Sequence, residues 1–358
     1  MEIQTTTTTA ATAAAKKKLF LIINCILLAV GNCGGPLVMR LYFIRGGKRV
    51  WLACWLQTGG WPVILIPLLV AYTRLHSNTT RFVMRPHALA SGAALGVLVG
   101  LDNYLYSNGV NRLPVSTSAL IVATQLVFTS VFSFLIVKQK FTAYSVNAVV
   151  LLTLGAVVLG LRSNGDRPAG ESKGEYYVGF FMTVGAAALY GVILPMVQLT
   201  YMKAKQALTY SVVLQMQLVM CFFATGFCTV GMLVNHDFQA IPREARVHQL
   251  GETKYYLLLV FSPILWQCFY LGVIGVIFYT SSLLSGIVIT VTIPLTQILA
   301  VLIYNERFQA EKGIALFLSL WGFISYFYGE VKKIKKSKRK NISDDEDAIE
   351  AESTRPAP

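Results

Sequence analysis

Charge is what this chain has least of. Only 13% of its 358 residues are Asp, Glu, Lys or Arg, against 55% hydrophobic and a mean hydropathy of +0.58. A soluble domain carries roughly 25% charged residues, so a soluble enzyme is excluded and a polytopic membrane protein is indicated. Histidine is scarce too: His76, His87, His236 and His248 sit at span ends or in loops. Cys25, Cys33, Cys54, Cys221, Cys228 and Cys268 fall inside apolar runs, where they read as small apolar fillers rather than disulfides or metal ligands. The sequence offers no Cys/His metal spacing, nucleophile–base pair or phosphate loop, so neither enzyme activity nor a metal or cofactor is expected. The formal charge of +14 does not indicate nucleic acid, because Lys and Arg lie between apolar runs and in the tail, where they set topology.

Long apolar runs are what is there. A span needs about 20 mostly apolar residues. The pattern predicts an all-α protein with ten transmembrane helices at 19–43, 50–73, 87–110, 113–137, 142–161, 178–201, 209–234, 255–279, 282–304 and 311–329. Residues 1–18 read as a disordered cytoplasmic tail, 19–161 as a first five-helix repeat and 162–177 as an extracellular loop. Residues 178–329 form a second repeat and 330–358 a disordered cytoplasmic tail, basic then acidic. Lys16 to Lys18 before an apolar run could open a signal peptide. The run continues to Phe43 without a small-residue cleavage site, so it is read as the first span. The Lys/Arg bias places both termini in the cytoplasm. Asn78-Thr79-Thr80 and Asn341-Ile342-Ser343 fit the glycosylation pattern but fall on that side, and neither is expected to be modified. The run from Lys332 to Lys340 suits anionic lipid headgroups, or a plain stop-transfer anchor.

The chain contains a weak copy of itself. A shift of 167 residues places Lys140-Phe141 on Arg307-Phe308, Gly155 on Gly322, Ser118 on Ser285, Gln125 on Thr292 and Thr129 on Thr296. Spacings of seven and four put each polar trio on one helix face. Five spans per half invert the second repeat against the first, the plan of many secondary transporters. Gly31-Asn32-Cys33-Gly34-Gly35-Pro36 in the first span, and Tyr190-Gly191 with Pro195 in the sixth, read as interruptions in matching positions. The glycines equally suit close packing of helices by small residues.

Polar residues inside these spans define a candidate cavity. Leu101-Asp102-Asn103-Tyr104-Leu105-Tyr106-Ser107-Asn108 is the densest stretch, and polar groups in hydrocarbon are costly unless they face a cavity or a partner. The chain resembles the plant purine permease family of the drug/metabolite transporter superfamily. The resemblance is carried by Gly31 to Leu37, Arg40 to Phe43, Gly46 to Arg49, Gly59 to Pro67, Gly100 to Asn108 and Leu113 to Ser118. In the second half it is carried by Trp266-Gln267, Pro294 to Gln297 and Asn305 to Phe308. It implies ten helices in the drug/metabolite transporter fold and proton-coupled import of adenine, cytokinins and related heterocycles such as caffeine, pyridoxine or alkaloids. It also implies residence in the plasma membrane.

A flat nitrogen heterocycle needs aromatic faces and amides. Asn32, Gln57, Asn103, Tyr104, Gln125, Tyr190, Gln215, Trp266, Gln267, Tyr270 and Thr292 are the expected substrate contacts. Asp102, the one carboxylate placed well inside a span, is the expected proton carrier or a static hydrogen-bond hub, with Glu306 as second candidate. Arg40 and Glu306 are expected to form a gating ion pair. The expected partners are a small heterocycle, protons and the bilayer, with oligomeric state open. The rival readings are an exporter or exchanger on the same fold, and a non-transporting membrane receptor or scaffold. A phosphorylated substrate would need cations facing the cavity, and no Lys or Arg lies mid-span.

Overall fold

The computed structural model describes residues 2–74, 84–113, 118, 121–122, 124–139, 141–161, 173–204, 209–304, 310, 313–314, 317–318, 320–329 and 331–332, and its regular elements there are all helical. Helix α1 is Glu2–Ile44 and α2 is Val50–Thr58, which passes through a 3-10 turn at Trp61–Ile64 into α3, Leu65–Arg74. Then follow α4 (Pro86–Arg112), α5 (Gln125–Val137), α6 (Ala143–Leu161), α7 (Lys173–Lys203) and α8 (Tyr210–Val234). A short α9 (Asp237–Val247) leads to α10 (Glu252–Tyr279) and α11 (Ser282–Tyr304). Among the described residues seven helices are long and apolar enough to cross a membrane, Val50–Val70 counting as one. The expected fourth and fifth spans correspond to shorter apolar helices, Gln125–Val137 and Ala143–Gly155. The expected tenth falls on a stretch that is only partly described. Asn78, Asn341, Glu306, residues 162–172 and the tail from 333 lie outside the described residues.

The bundle is inverted relative to a soluble one. Its outer surface carries Ile22, Ile26, Ile66, Leu69, Phe134, Leu135, Leu233 and Phe261, all well exposed, a face that only hydrocarbon accommodates. Its interior holds Asn24, Gln57, Asn103, Gln125, Gln217 and Gln267 among Leu28, Val99, Leu194, Val213 and Ile287. Without a hydrophobic drive between helices in lipid, small residues and interhelical hydrogen bonds hold the contacts. Helix α1 lies along α10, and α4 along α7 and α8. A methyl added at Gly31 would meet the Phe269 backbone, and one at Gly272 would meet the Leu28 backbone.

Three features differ from the sequence reading. Helix α1 begins at Glu2, so the backbone of the Thr/Ala stretch is helical rather than irregular. Helices α1 and α7 run unbroken past Pro36 and Pro195, so neither expected interruption is present. Packing against neighbouring helices tolerates the missing donor. The break lies instead in the second span, at Gly59-Gly60, where a methyl on Gly60 would press against the Pro263 carbonyl and Gln267 of α10.

Helix α9 was not anticipated. Phe238, Ile241 and Ala245 line one side of it and Gln239, Arg243 and Arg246 the other. It is tied to the α1–α2 connection: Arg49 Nη1 lies 3.3 Å from Asp237 Oδ1 and Arg49 Nε 3.8 Å from Glu244 Oε2. His248 stacks on Tyr42 beneath it, and Gln249 N donates to Arg45 O at 3.1 Å. Burial raises the Asp237 carboxyl above its ordinary range, and the Arg49 guanidinium works against that rise.

Three outcomes follow. Gly31→Ala should lower the stability of the purified protein by about 1–3 kcal/mol through overpacking. Gly226→Ala, in open space on α8, should be neutral or slightly stabilising, as thermal unfolding would read. Arg49→Gln should cost about 1–3 kcal/mol at neutral pH by leaving a buried carboxylate unpaired. The cost should shrink as pH falls, because protonated Asp237 needs no cation, so parent and variant should unfold together in acid.

Candidate functional site

Helices α1, α2, α4, α7, α10 and α11, with Ser118, Val122 and Gln125, the first residue of α5, converge on one cavity of about 130 Å³. That is far more than the roughly 10–15 Å³ a single water requires. Helical periodicity explains which residues reach it. On α1 they are Asn32, Pro36 and Arg40, four apart; on α11 they are Ile289, Ile293, Thr296 and Ala300, a single stripe. Alanines at 186 and 187 keep the α7 wall low beside Tyr190.

One wall is aromatic. Trp266 meets Tyr106 edge-on at 6.4 Å and Phe269 edge-on at 5.7 Å, Phe269 stacks on Tyr190 at 6.0 Å, and Tyr270 meets Phe269 at 5.2 Å. Gly35 makes the room: a methyl there would press on the Trp266 indole at 2.8 Å. The polar groups are few and set by their partners. Tyr270 Oη donates to Asn103 Oδ1 at 2.9 Å, and Gln57 Nε2 donates to Ser107 Oγ at 2.9 Å. Asn103 Nδ2, Trp266 Nε1 and Asp102 Oδ1 are buried with no hydrogen-bond partner among the described residues. Such atoms in a low-dielectric wall carry a desolvation cost that a ligand can recover. Among the described residues Asp102 makes no ion pair.

Of the expected contacts, Asn32, Gln57, Asn103, Gln125, Tyr190, Trp266 and Tyr270 line the cavity, together with Asp102 and Arg40. Four do not. Tyr104 points the other way and stacks on Trp51 at 4.3 Å. Gln267 is turned from Trp266 by one residue and donates to Thr58 O at 3.3 Å and to Cys221 Sγ. Gln215 is buried on α8 behind the wall. Thr292 sits one layer back, accepting from Asn32 Nδ2 at 2.6 Å. Glu306 lies outside the described residues, so no partner for Arg40 is drawn from it. The repeat-matched positions part company as well: Ser118, Gln125 and Thr296 line the cavity, whereas Ser285, Thr292 and Thr129 are buried away from it. Pro36 and Phe269 were not among the expected contacts. Each stands three or four residues from one that was (Asn32, Trp266), a signal the sequence carried.

Away from the cavity, Gln198 ties helix ends together. Its Oε1 accepts from Ser282 N at 2.8 Å and Ser282 Oγ at 2.6 Å, and Ser133 Oγ lies 3.0 Å from Ser282 Oγ. All six cysteines are free thiols within helices.

A family model described as purine nucleobase transmembrane transport matches residues 19–336. Purine permease 3 of Arabidopsis thaliana is 52% identical over 341 residues, covering 94% of this chain and 97% of its own. Purine permease 2 of the same plant is 51% identical over 334 residues, covering 88% and 93%. A solved crystal structure aligns over 86% of this chain and 98% of its own with a TM-score of 0.63 at 15% identity, a likeness of fold alone.

The geometry separates two positions that the repeat treats as equals. In a background without native cysteines, Gln125→Cys should react with a small water-soluble thiol reagent and Thr292→Cys should not. Equal labelling of both would contradict the arrangement of α5 and α11 about the cavity.

Proposed function

The chain belongs to the purine permease family, a family of multi-pass membrane transporters of purine nucleobases, and from that premise we propose that it imports adenine, cytokinins and related flat nitrogen heterocycles by coupling them to protons. The observation that carries this reading is the cavity itself: an aromatic wall whose lining residues carry two N–H donors and one carboxylate oxygen left unpaired among the described residues. Aminopurines present ring nitrogens to such donors and N–H groups to such acceptors, and their faces stack on Trp266, Tyr190 and Tyr106. Asn32, Gln57, Asn103 and Gln125 supply the remaining polar edge, and Arg40 stands at the cavity's margin as a gating residue.

Two inverted halves of five helices each, ten in all, are the proposed architecture. Exchange of halves sends α1 to α7, α2 to α8, α4 to α10 and α5 to α11. The contact of α1 with α10 then maps onto α7 with α4, that of α5 with α7 onto α11 with α1, and that of α2 with α10 onto α8 with α4. All of these contacts exist, which supports the two-fold reading. Broken or polar helices meeting at the repeat interface are where such transporters hold their substrates. The plasma membrane, with both termini cytoplasmic, is the proposed setting.

Asp102 is the proposed proton carrier. It lines the cavity, is 7% exposed and has no cation paired to it among the described residues. A charge there is costly, and gaining or losing a proton beside the substrate couples the two fluxes.

Uptake of labelled adenine by yeast expressing the chain, with and without a protonophore, tests the reading. Proton-coupled import predicts accumulation that the protonophore abolishes. Net loss of preloaded adenine would favour the exporter reading, and no flux in either direction a receptor or scaffold. Asp102→Asn should lower uptake about tenfold or more and remove its dependence on outside pH; an unchanged pH profile would remove Asp102 from the coupling step.

A further inference from the structure

Asn32 is the cavity amide whose orientation its partners fix. Its Nδ2 donates to the Ile289 carbonyl at 3.0 Å and to Thr292 Oγ1 at 2.6 Å. An amide nitrogen has two hydrogens, and both are thereby committed. The Ile289 carbonyl can only accept. The Thr292 hydroxyl has one hydrogen, directed at its own helix, with Val288 O at 3.0 Å and Ile289 O at 2.8 Å. It therefore meets Asn32 as an acceptor. Flipping the amide would set Asn32 Oδ1 against the Ile289 carbonyl and would require the Thr292 hydroxyl to give up its own helix's carbonyls to donate, so the chemistry of the neighbours decides the orientation. Asn32 lines the cavity and Thr292 does not.

We propose that Thr292 is a positioning residue for substrate selection: it holds the Asn32 amide so that the cavity meets a carbonyl oxygen, and so selects ligands that bring an N–H to that point. The inference rests on the nucleobase reading above and narrows it. The substrate is a heterocycle with an N–H donor on the edge facing α1, and with ring nitrogens left for Asn103 Nδ2 and Trp266 Nε1. A site built to accept from an N–H discriminates strongly against an analogue lacking it, because its own polar atom is then left unpaired. Without the Thr292 hydroxyl, Ile289 O remains as a single anchor. The amide can then pivot, offering either hydrogen or oxygen, and discrimination at that edge relaxes.

The test is competition against labelled adenine uptake by three probes: adenine, purine (which lacks the exocyclic amine) and adenine N-methylated on its imidazole ring (which lacks the ring N–H). In the parent, one of the two deletions should weaken competition about tenfold or more. Thr292→Val should reduce that ratio to about threefold or less while leaving the other ratio in place, and Thr292→Ser should keep the parental ratios. Ratios within one variant are independent of how much protein reaches the membrane. Thr292→Val that weakens all three probes in parallel, or leaves both ratios parental, overturns the proposal and leaves the nucleobase reading standing. A parent that takes up no adenine overturns that reading, and this inference with it.

Discussion

Helix α1 lies so close to α10 that neither Gly31 nor Gly272 has space for a methyl group. That contact sets the cavity. It brings Asn32 and Pro36 onto the same space as Trp266, Phe269 and Tyr270. Gly35 then leaves the indole ring room to lie against α1. In lipid no hydrophobic force presses helices together, so close approach through small residues is what fixes their registry. The Gly31 to Pro36 motif thus works mainly through packing. Its polar member, Asn32, is delivered to the cavity because its neighbours permit the approach.

The second constraint is the accounting of buried polar atoms. Many amides lie inside this bundle, and most are spent on structure. Gln267 joins α10 to Thr58 of α2, Gln198 caps the start of α11, and Asn24 Nδ2 bonds the Phe20 carbonyl of its own helix. Of the buried atoms without a partner among the described residues, some belong to α8 away from the cavity, such as Gln215 Oε1 and Gln217 Oε1, and others to residues that line it. Asn103 has one end held by Tyr270 and the other unpaired, and Trp266 and Asp102 each contribute an unpaired atom. An unmade hydrogen bond costs more than a made one contributes. These few atoms therefore define the chemistry of the site more sharply than the larger number of satisfied ones.

Helix α9 serves the opposite end of the design. It binds the α8–α10 connection to the α1–α2 connection through Arg49, Asp237 and Glu244, over the buried rings of Tyr42 and Tyr255. It adds a polar tie between the two halves of the chain to the apolar contact of Tyr42 on α1 with Tyr255 on α10.

The sequence by itself determined the membrane class, the long helices and the neighbourhood of the site, because apolar length and scarcity of charge admit no other solvent. It also pointed to most of the cavity's polar residues, Asn32, Gln57, Asp102, Asn103, Gln125, Tyr190, Trp266 and Tyr270 among them, since polar side chains inside apolar runs are rare. Only the tertiary structure decided which of them reach the space. Trp266 and Gln267 are adjacent in sequence, yet about 100° of helical rotation sends one to the cavity and the other to α2 and α8. Tyr104 and Tyr106 divide in the same way. Whether Pro36 breaks its helix, and which atom Asn32 presents, were likewise settled by contacts with remote parts of the chain. Thr292 lies 260 residues from Asn32, and no local pattern could foretell that its hydroxyl would arrive as an acceptor.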